Sequence, residues 1–360
     1  MRHRFLTIQY LRGFAAMFVL ASHALLYPLA GEHLEFSRLG WLGVILFFVI
    51  SGFIMVVVTG ERRFSATDFL RRRFIRVVPM YWLATLLAAG LAFVDPQAFK
   101  TTVYDGTQLL LSLAFVPFYN PASHGLHPLY KLGWTLNYEM FFYLIFGLFL
   151  LVRPTVRLWG TVAVLAVLVA LGIVLGAPHL SAFGFYTAPV VLEFAAGMLL
   201  AEFSFRTGAR GAMTRPVALL LIVAGLVVML AMPYPLPANR VIAFGIPALA
   251  IVAGAVGAEE RGGLADWRLP HLLGNASYSV YLTQLITMAA VFAAWKKLHL
   301  DQHHVLLPVF CLVDVGAALV GGLICYRLVE RPLIALFGGP RRRRMADTAV
   351  SAEQAVPGQA

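Results

Sequence analysis

Charge is what this chain has least of. Only 12% of its 360 residues are Asp, Glu, Lys or Arg, with 17 acids against 28 bases. A soluble domain carries roughly a quarter charged residues, so this chain cannot dress a globular surface for water. Cysteine is nearly absent too. Cys311 and Cys325 lie in one apolar run, too far apart along a helix for a disulfide, and carry no information on redox compartment. The chain has no phosphate-binding glycine loop, no CxxC and no HExxH, which argues against ATP-driven work and against a metal site carried by a motif. His124 and His127 flank Gly125-Leu126 and are too few to hold a metal by themselves. The expectation is no metal. Nor does the net charge of +11 imply nucleic acid, because the basic residues fall in short segments between apolar runs, where they set membrane orientation.

What remains is hydrophobic. Sixty per cent of the residues are apolar, and the mean hydropathy is +0.81. Spanning a bilayer takes about 17 to 25 apolar residues. Ten runs qualify, near 8–29, 39–59, 77–95, 134–152, 158–176, 184–203, 216–232, 241–258, 276–295 and 305–327. The fold class expected is therefore an all-α polytopic membrane bundle. The run 108–119 is too short to cross and is expected to be re-entrant or interfacial. With ten crossings and the N-terminus inside, 22 of the 28 basic residues fall on the cytoplasmic side, and both termini are cytoplasmic. Counting 108–119 as a crossing would put Arg153 and Arg157 outside. Residues 1–337 are expected to form one membrane domain with no cleavable leader. The tail 338–360, with Arg341 to Arg344 in succession, is expected to be disordered and close to anionic headgroups.

Polar side chains inside the runs are the candidates for chemistry, because an ionisable group in a membrane span is costly. Arg12 and His23 are eleven positions apart, so on a helix they leave one face within about 20°, about 16 Å apart along the axis. Two readings are open: a snorkelling arginine with a structural histidine, or a polar stripe lining a cavity. Glu139 lies one or two turns into the fourth run. Counted from the run ends, it falls in the outer half of the membrane with His23, at the depth a carboxylate–imidazole pair requires. The loop segment Arg71-Arg72-Arg73-Phe74-Ile75-Arg76 is the densest charge before the tail. It fixes topology, and its forked donors also suit phosphate oxygens; Arg71, Arg73 and Arg76 cannot all share one helical face. Gln284, with Ser277, Tyr278 and Tyr281, forms a polar face on the ninth run, its tyrosines suiting a site or the membrane interface equally; Trp134, Asn137 and Tyr143 on the fourth run, with Ser277, Tyr281 and Gln284, are the substrate-binding candidates. Glu193 and Asp314 read as acids paired with neighbouring helices.

Taken together, these motifs resemble the acyltransferase 3 family of integral-membrane O-acyltransferases, from the first run to Pro332. They are Arg12-(ten residues)-His23, Phe47 to Phe53, the Arg71–Pro79 segment followed by Tyr81-Trp82, Trp134-Thr135-Leu136 with Glu139, Ser277 to Leu282, and Glu330-Arg331-Pro332. The order and spacing make the set specific. Two positions depart from the usual pattern: Ile45 replaces a carboxylate before the Phe-Phe pair, and Gln284 stands where many members have histidine.

The resemblance implies transfer of an acyl group, usually acetyl from acetyl-CoA, to a hydroxyl of an exopolysaccharide or lipopolysaccharide at the bacterial inner membrane. It makes His23 the catalytic histidine with Arg12 as its companion; Glu139 is the supporting acid on the depth argument alone, a structural hydrogen bond being the other reading. It makes Arg71, Arg73 and Arg76 candidates for the CoA phosphates. The partners implied are acyl-CoA, a carbohydrate acceptor and the lipid bilayer. On composition alone a transporter or flippase of a sugar or lipid-linked sugar fits equally well, with the same ionisable residues as a proton pathway.

Overall fold

The computed structural model describes residues 6–29, 37–60, 64–97, 99, 101–206, 213–231, 240–260, 267–302 and 304–338. The basic tail beyond 338 lies outside them, as do Arg2, Arg4, Arg62, Arg63, Lys100, Arg210 and Arg261 of the charge count.

Each of the ten apolar runs folds into a helix. They are α1 (Leu6–Leu29), α2 (Ser37–Thr59), α3 (Ala66–Val94), α5 (Trp134–Leu148), α6 (Pro154–Val174), α8 (Leu192–Arg206), α9 (Arg215–Ala231), α10 (Arg240–Glu260), α11 (Arg268–Lys297) and α12 (Leu307–Cys325), with short α4 (Gly106–Leu113), α7 (Ala182–Tyr186) and α13 (Arg331–Gly338) between or after them. No strand occurs among the described residues. Eight helical segments among them are long and apolar enough to cross a bilayer. The chain is a multi-pass membrane protein. Phe93, Val94, Leu110, Leu148 and Val174 are exposed large side chains of a kind that water would not tolerate in such numbers and lipid does.

Two boundaries differ from the sequence reading, and both matter for the site. The arginine segment is not a loop. Ser65 caps α3 by accepting from the Asp68 amide at 3.2 Å, and arginine is a good helix former. The helix therefore starts eleven residues before the apolar run and carries Arg71 to Arg76 on its first turns. Pro79 sits inside it, where it removes one backbone donor. The run 108–119 yields only the eight residues of α4, capped by Asp105, about 12 Å against a hydrocarbon core of about 30 Å. Phe115 then takes a left-handed φ of 58° and ends the helix.

The bundle is knit by close helix pairs, α1 with α2 and α11, α2 with α8, α11 with α12 and α9 with α10. Between helices in lipid no hydrophobic drive operates, so tight approach through small residues supplies the packing. Gly52 of α2 and Gly197 of α8 are the clearest case, because a β-carbon on either would strike the opposite backbone carbonyl, of Phe194 or of Val49. Phe53, Phe69, Phe142, Phe146 and Phe194 fill the centre beside this seam.

Overpacking a tight seam costs about 1–3 kcal/mol. Gly197→Leu is expected to lower the melting temperature of the detergent-solubilised protein. Gly90→Ala, where nothing lies within 4 Å of the new carbon, should melt like the parent. Equal melting of both variants would remove the seam from the account of stability.

Candidate active site

Five helices converge on a cavity of about 120 Å³. Its polar lining comes from Arg12 of α1, Ser51 of α2, Arg73 and Arg76 of α3, Thr135, Glu139 and Tyr143 of α5, and Ser277, Tyr278 and Tyr281 of α11. Phe47, Phe48 and Ile54 of α2 supply much of the apolar wall. The helical start of α3 is what brings Arg73 and Arg76 inward together, three residues apart on one face. Arg71 points away, exposed, and donates to the Phe337 carbonyl at 3.0 Å.

The charges in the cavity are partly compensated. Arg76 forms an ion pair with Glu330, which also accepts from Ser279 at 2.5 Å. Glu330 is fully buried and arrives from a π-helical turn, Tyr326–Glu330, inserted between α12 and α13. Glu139 accepts from Tyr143 and, at 3.5 Å, from Ser51. Arg12 donates to Ser277 at 3.3 Å. Arg73 stacks its guanidinium 5.4 Å from the Phe69 ring and 5.5 Å from Tyr143, with its buried Nε unpartnered. Three guanidiniums thus face two carboxylates. The balance is one positive charge in a low-dielectric chamber, a setting that favours an anion with several oxygens.

His23 does not line this cavity. It lies against Gln284 of α11 and within electrostatic reach of Lys131, and its Nδ1 is buried without a partner. The sequence reading paired it with Glu139; the structure does not join them, because Glu139 takes its hydrogen bonds from Tyr143 and Ser51. The reason is depth. The segment before α5 is folded into the bundle, with Leu129, Tyr130 and Leu132 buried, so α5 begins inside rather than at the surface. Glu139 therefore sits at the level of Arg12. Between the two levels, Tyr281 bonds both the Thr135 hydroxyl at 2.7 Å and the Leu132 carbonyl at 2.9 Å, closing the chamber on the His23 side.

Of the six residues read as substrate-holding, Tyr143, Ser277 and Tyr281 line the cavity and Gln284 lies at His23. Trp134 does neither; it packs 5.6 Å from Trp41 and 6.0 Å from Tyr138. Asn137 is buried with its amide oxygen and nitrogen both unpartnered. Sequence reasoning gave Glu330 and Ser51 no role. Both stand inside recognised motifs, but only their contacts reveal what they touch. In the loop, Ser123 Oγ lies 3.0 Å from His127 Nδ1. Burial, and then the charge of Lys131, pushes the His127 imidazole down to about 4. Asp314 is fully buried with both oxygens unpartnered. No group of three or more His, Cys, Asp or Glu residues able to hold a metal occurs among the described residues.

The described residues thus form a helical membrane bundle that buries a cationic chamber, with a histidine outside it. The family model described as an acyltransferase domain matches residues 5–327, and the chain belongs to that acyltransferase 3 family. It is 34% identical over 301 residues to the exopolysaccharide production protein ExoZ of Rhizobium meliloti (strain 1021), across 82% of this chain and 90% of that protein. It is 27% identical to the acyltransferase MdmB of Streptomyces mycarofaciens, across 96% of this chain and 95% of that one. No solved structure matches it. The protein is a membrane-bound acyltransferase.

The Arg76–Glu330 pair gives a stability prediction. Glu330→Ala strands a half-buried guanidinium, at a cost of about 1–3 kcal/mol. The variant is expected to melt lower in detergent, and Arg76→Met combined with Glu330→Leu should recover part of the loss. If the single variant melts like the parent, the pair does not brace the turn.

Proposed function

We propose that this acyltransferase moves an acetyl group from acetyl-CoA to a hydroxyl of a cell-surface carbohydrate or its lipid-linked precursor, in the bacterial cytoplasmic membrane. The bundle crosses ten times with both ends cytoplasmic, which leaves the arginine-rich end inside. The observation that carries the reading is the one positive charge left over when Arg12, Arg73 and Arg76 meet Glu139 and Glu330 around a chamber at that end. Likeness to a protein named for exopolysaccharide production supports the carbohydrate acceptor. Membership of an acyltransferase family supports transfer over transport.

The donor docks from the cytoplasm with its phosphates at Arg73 and at Arg76. Its pantetheine arm runs along α1 and spans the roughly 16 Å between the levels of Arg12 and His23. Passage past Tyr281 requires the Tyr281–Thr135 hydrogen bond to open. The acceptor hydroxyl then gives its proton to His23, and its oxygen attacks the thioester carbonyl. A carbon–oxygen bond forms, the carbon–sulfur bond breaks, and the proton passes from His23 to the departing thiolate. Arg12 and Glu139, with Tyr143 and Ser51, hold the chamber's shape and charge. The Thr135 and Tyr281 hydroxyls, which line the chamber, are the donors at hand for the carbonyl oxygen once their mutual bond opens.

Losing an acid–base residue costs about 100- to 10,000-fold in rate. Purified His23→Ala protein given acetyl-CoA and glycan acceptors should release free thiol and acylated product slower by that factor, at unchanged protein yield. Parental turnover in this variant would reject the assignment. Arg73→Ala is expected to raise the KM for acetyl-CoA more than it lowers kcat. An unchanged KM, here and in the Arg73→Ala, Arg76→Ala double variant, would leave the arginines a purely topological role.

A further inference from the structure

Beyond the chamber, at the level of His23, stands a second polar cluster, of which the donor uses His23 alone. Lys131 is at its centre. It occupies a single 3-10 turn, Lys131–Gly133, whose position against α11 is fixed from both sides. On one side the Tyr130 hydroxyl donates to the Leu282 carbonyl at 2.5 Å. On the other, Tyr281 donates to the Leu132 carbonyl at 2.9 Å. The segment before it is anchored as well, with the Leu129 amide on Ser112 Oγ at 2.8 Å and Asn120 bridged to Gly125. Lys131 is therefore not a free surface lysine that happens to lie near His23. Two hydrogen bonds hold it there.

Among the described residues, its surroundings hold no carboxylate paired with it. The ion pair of Arg76 with Glu330 lies away from it, at the chamber. Lys131 acts electrostatically on His23 and on His127. Alongside stand two buried polar atoms with no partner, His23 Nδ1 and Gln284 Oε1, while the Gln284 amide nitrogen is spent on its own helix at the Tyr281 carbonyl, 3.0 Å away. A buried donor or acceptor left unmade costs about 1–3 kcal/mol. Two of them beside an unpaired cation describe the complement of a molecule: a hydroxyl that can donate, next to an anionic group.

We propose that Lys131, His23 and Gln284 form an acceptor subsite selective for anionic glycans. A carboxylate or phosphate of the acceptor pairs with Lys131, and a neighbouring hydroxyl is delivered between His23 Nδ1 and Gln284 Oε1. This rests on the transferase reading above and deepens it by naming the acceptor's charge. The cation supplies what a neutral sugar cannot use. It orients the acceptor so that one hydroxyl, rather than any of several, meets the imidazole. The anion can sit on the sugar ring, as in a uronate, or on the diphosphate of a lipid carrier, since both present the same oxygens to an ammonium.

The test uses full-length protein in phosphatidylcholine nanodiscs with acetyl-CoA and three acceptors: a neutral oligosaccharide, the same oligosaccharide bearing a glucuronate, and the neutral one on a polyprenyl diphosphate. The parent is expected to favour one or both anionic acceptors by at least tenfold in kcat/KM, and the favoured one identifies the source of the anion. Lys131→Gln should cut that preference about tenfold, through KM for the anionic acceptor, with KM for acetyl-CoA unmoved, and Lys131→Arg should restore it. Sodium glucuronate, and not glucose, should compete in the parent, which keeps the test decisive even if Lys131→Gln folds poorly. Equal kcat/KM for all three acceptors, or no difference between the two competitors, would overturn the acidic-acceptor inference and leave the transferase standing. Absence of thiol release with every acceptor would remove both.

Discussion

Buried guanidinium charge is the constraint on which the rest of this structure depends. Arg12, Arg73 and Arg76 are held among apolar helices, where an uncompensated ion costs several kcal/mol. The bundle meets that cost with two acids from distant parts of the chain. Glu139 enters on α5 and is clasped by Tyr143 and Ser51. Glu330 enters near the end of the domain, on a π-helical turn that pairs it with Arg76 and Ser279. Because the compensation comes from α5 and from the turn after α12, the first third of the chain cannot form the chamber alone. One positive charge is left over, and an anionic ligand is the natural counterpart.

A second constraint fixes depth. The segment from Phe115 to Gly133 is mostly irregular, yet it is packed inward and tied to α3, α4, α7 and α11. The Tyr81 ring of α3 lies 4.8 Å from Phe115, the Leu129 amide donates to Ser112 Oγ of α4, the Tyr186 hydroxyl donates to the Phe115 carbonyl, and the Tyr130 hydroxyl donates to the Leu282 carbonyl of α11. Irregular backbone at membrane depth is tolerated where protein surrounds it and satisfies its polar groups. The consequence is functional. The wedge lowers α5, which separates Glu139 from His23, and it delivers Lys131 to the histidine. Two levels result, a cationic chamber and a histidine cluster, with the Tyr281–Thr135 hydrogen bond between them.

Much of this was legible in the chain itself. The ten helices follow from run length, since nothing else can satisfy twenty apolar residues of backbone in lipid. The shared face of Arg12 and His23 follows from helical period, and the geometric exclusion among Arg71, Arg73 and Arg76 holds, with Arg71 turned out. The family was readable from motif order. Three things were not. The helical start of α3 was hidden because a charged first turn looks like a loop when only hydropathy is read. The depth of Glu139 was hidden because counting from run ends assumes each helix starts at the surface. The part played by Glu330 was hidden because a carboxylate near a chain's basic end carries no mark of which arginine it will meet.

Local rules therefore determined the membrane bundle, the polar stripe on α1 and the inward choice among the arginines, because length, period and charge act within a few turns of one helix. Which polar residues share a level was decided only by the folded packing. Axial register between helices is set by glycine seams and by an inward-folded loop, and those contacts join residues far apart in the chain, as where Gly274 of α11 meets the Gln9 carbonyl of α1.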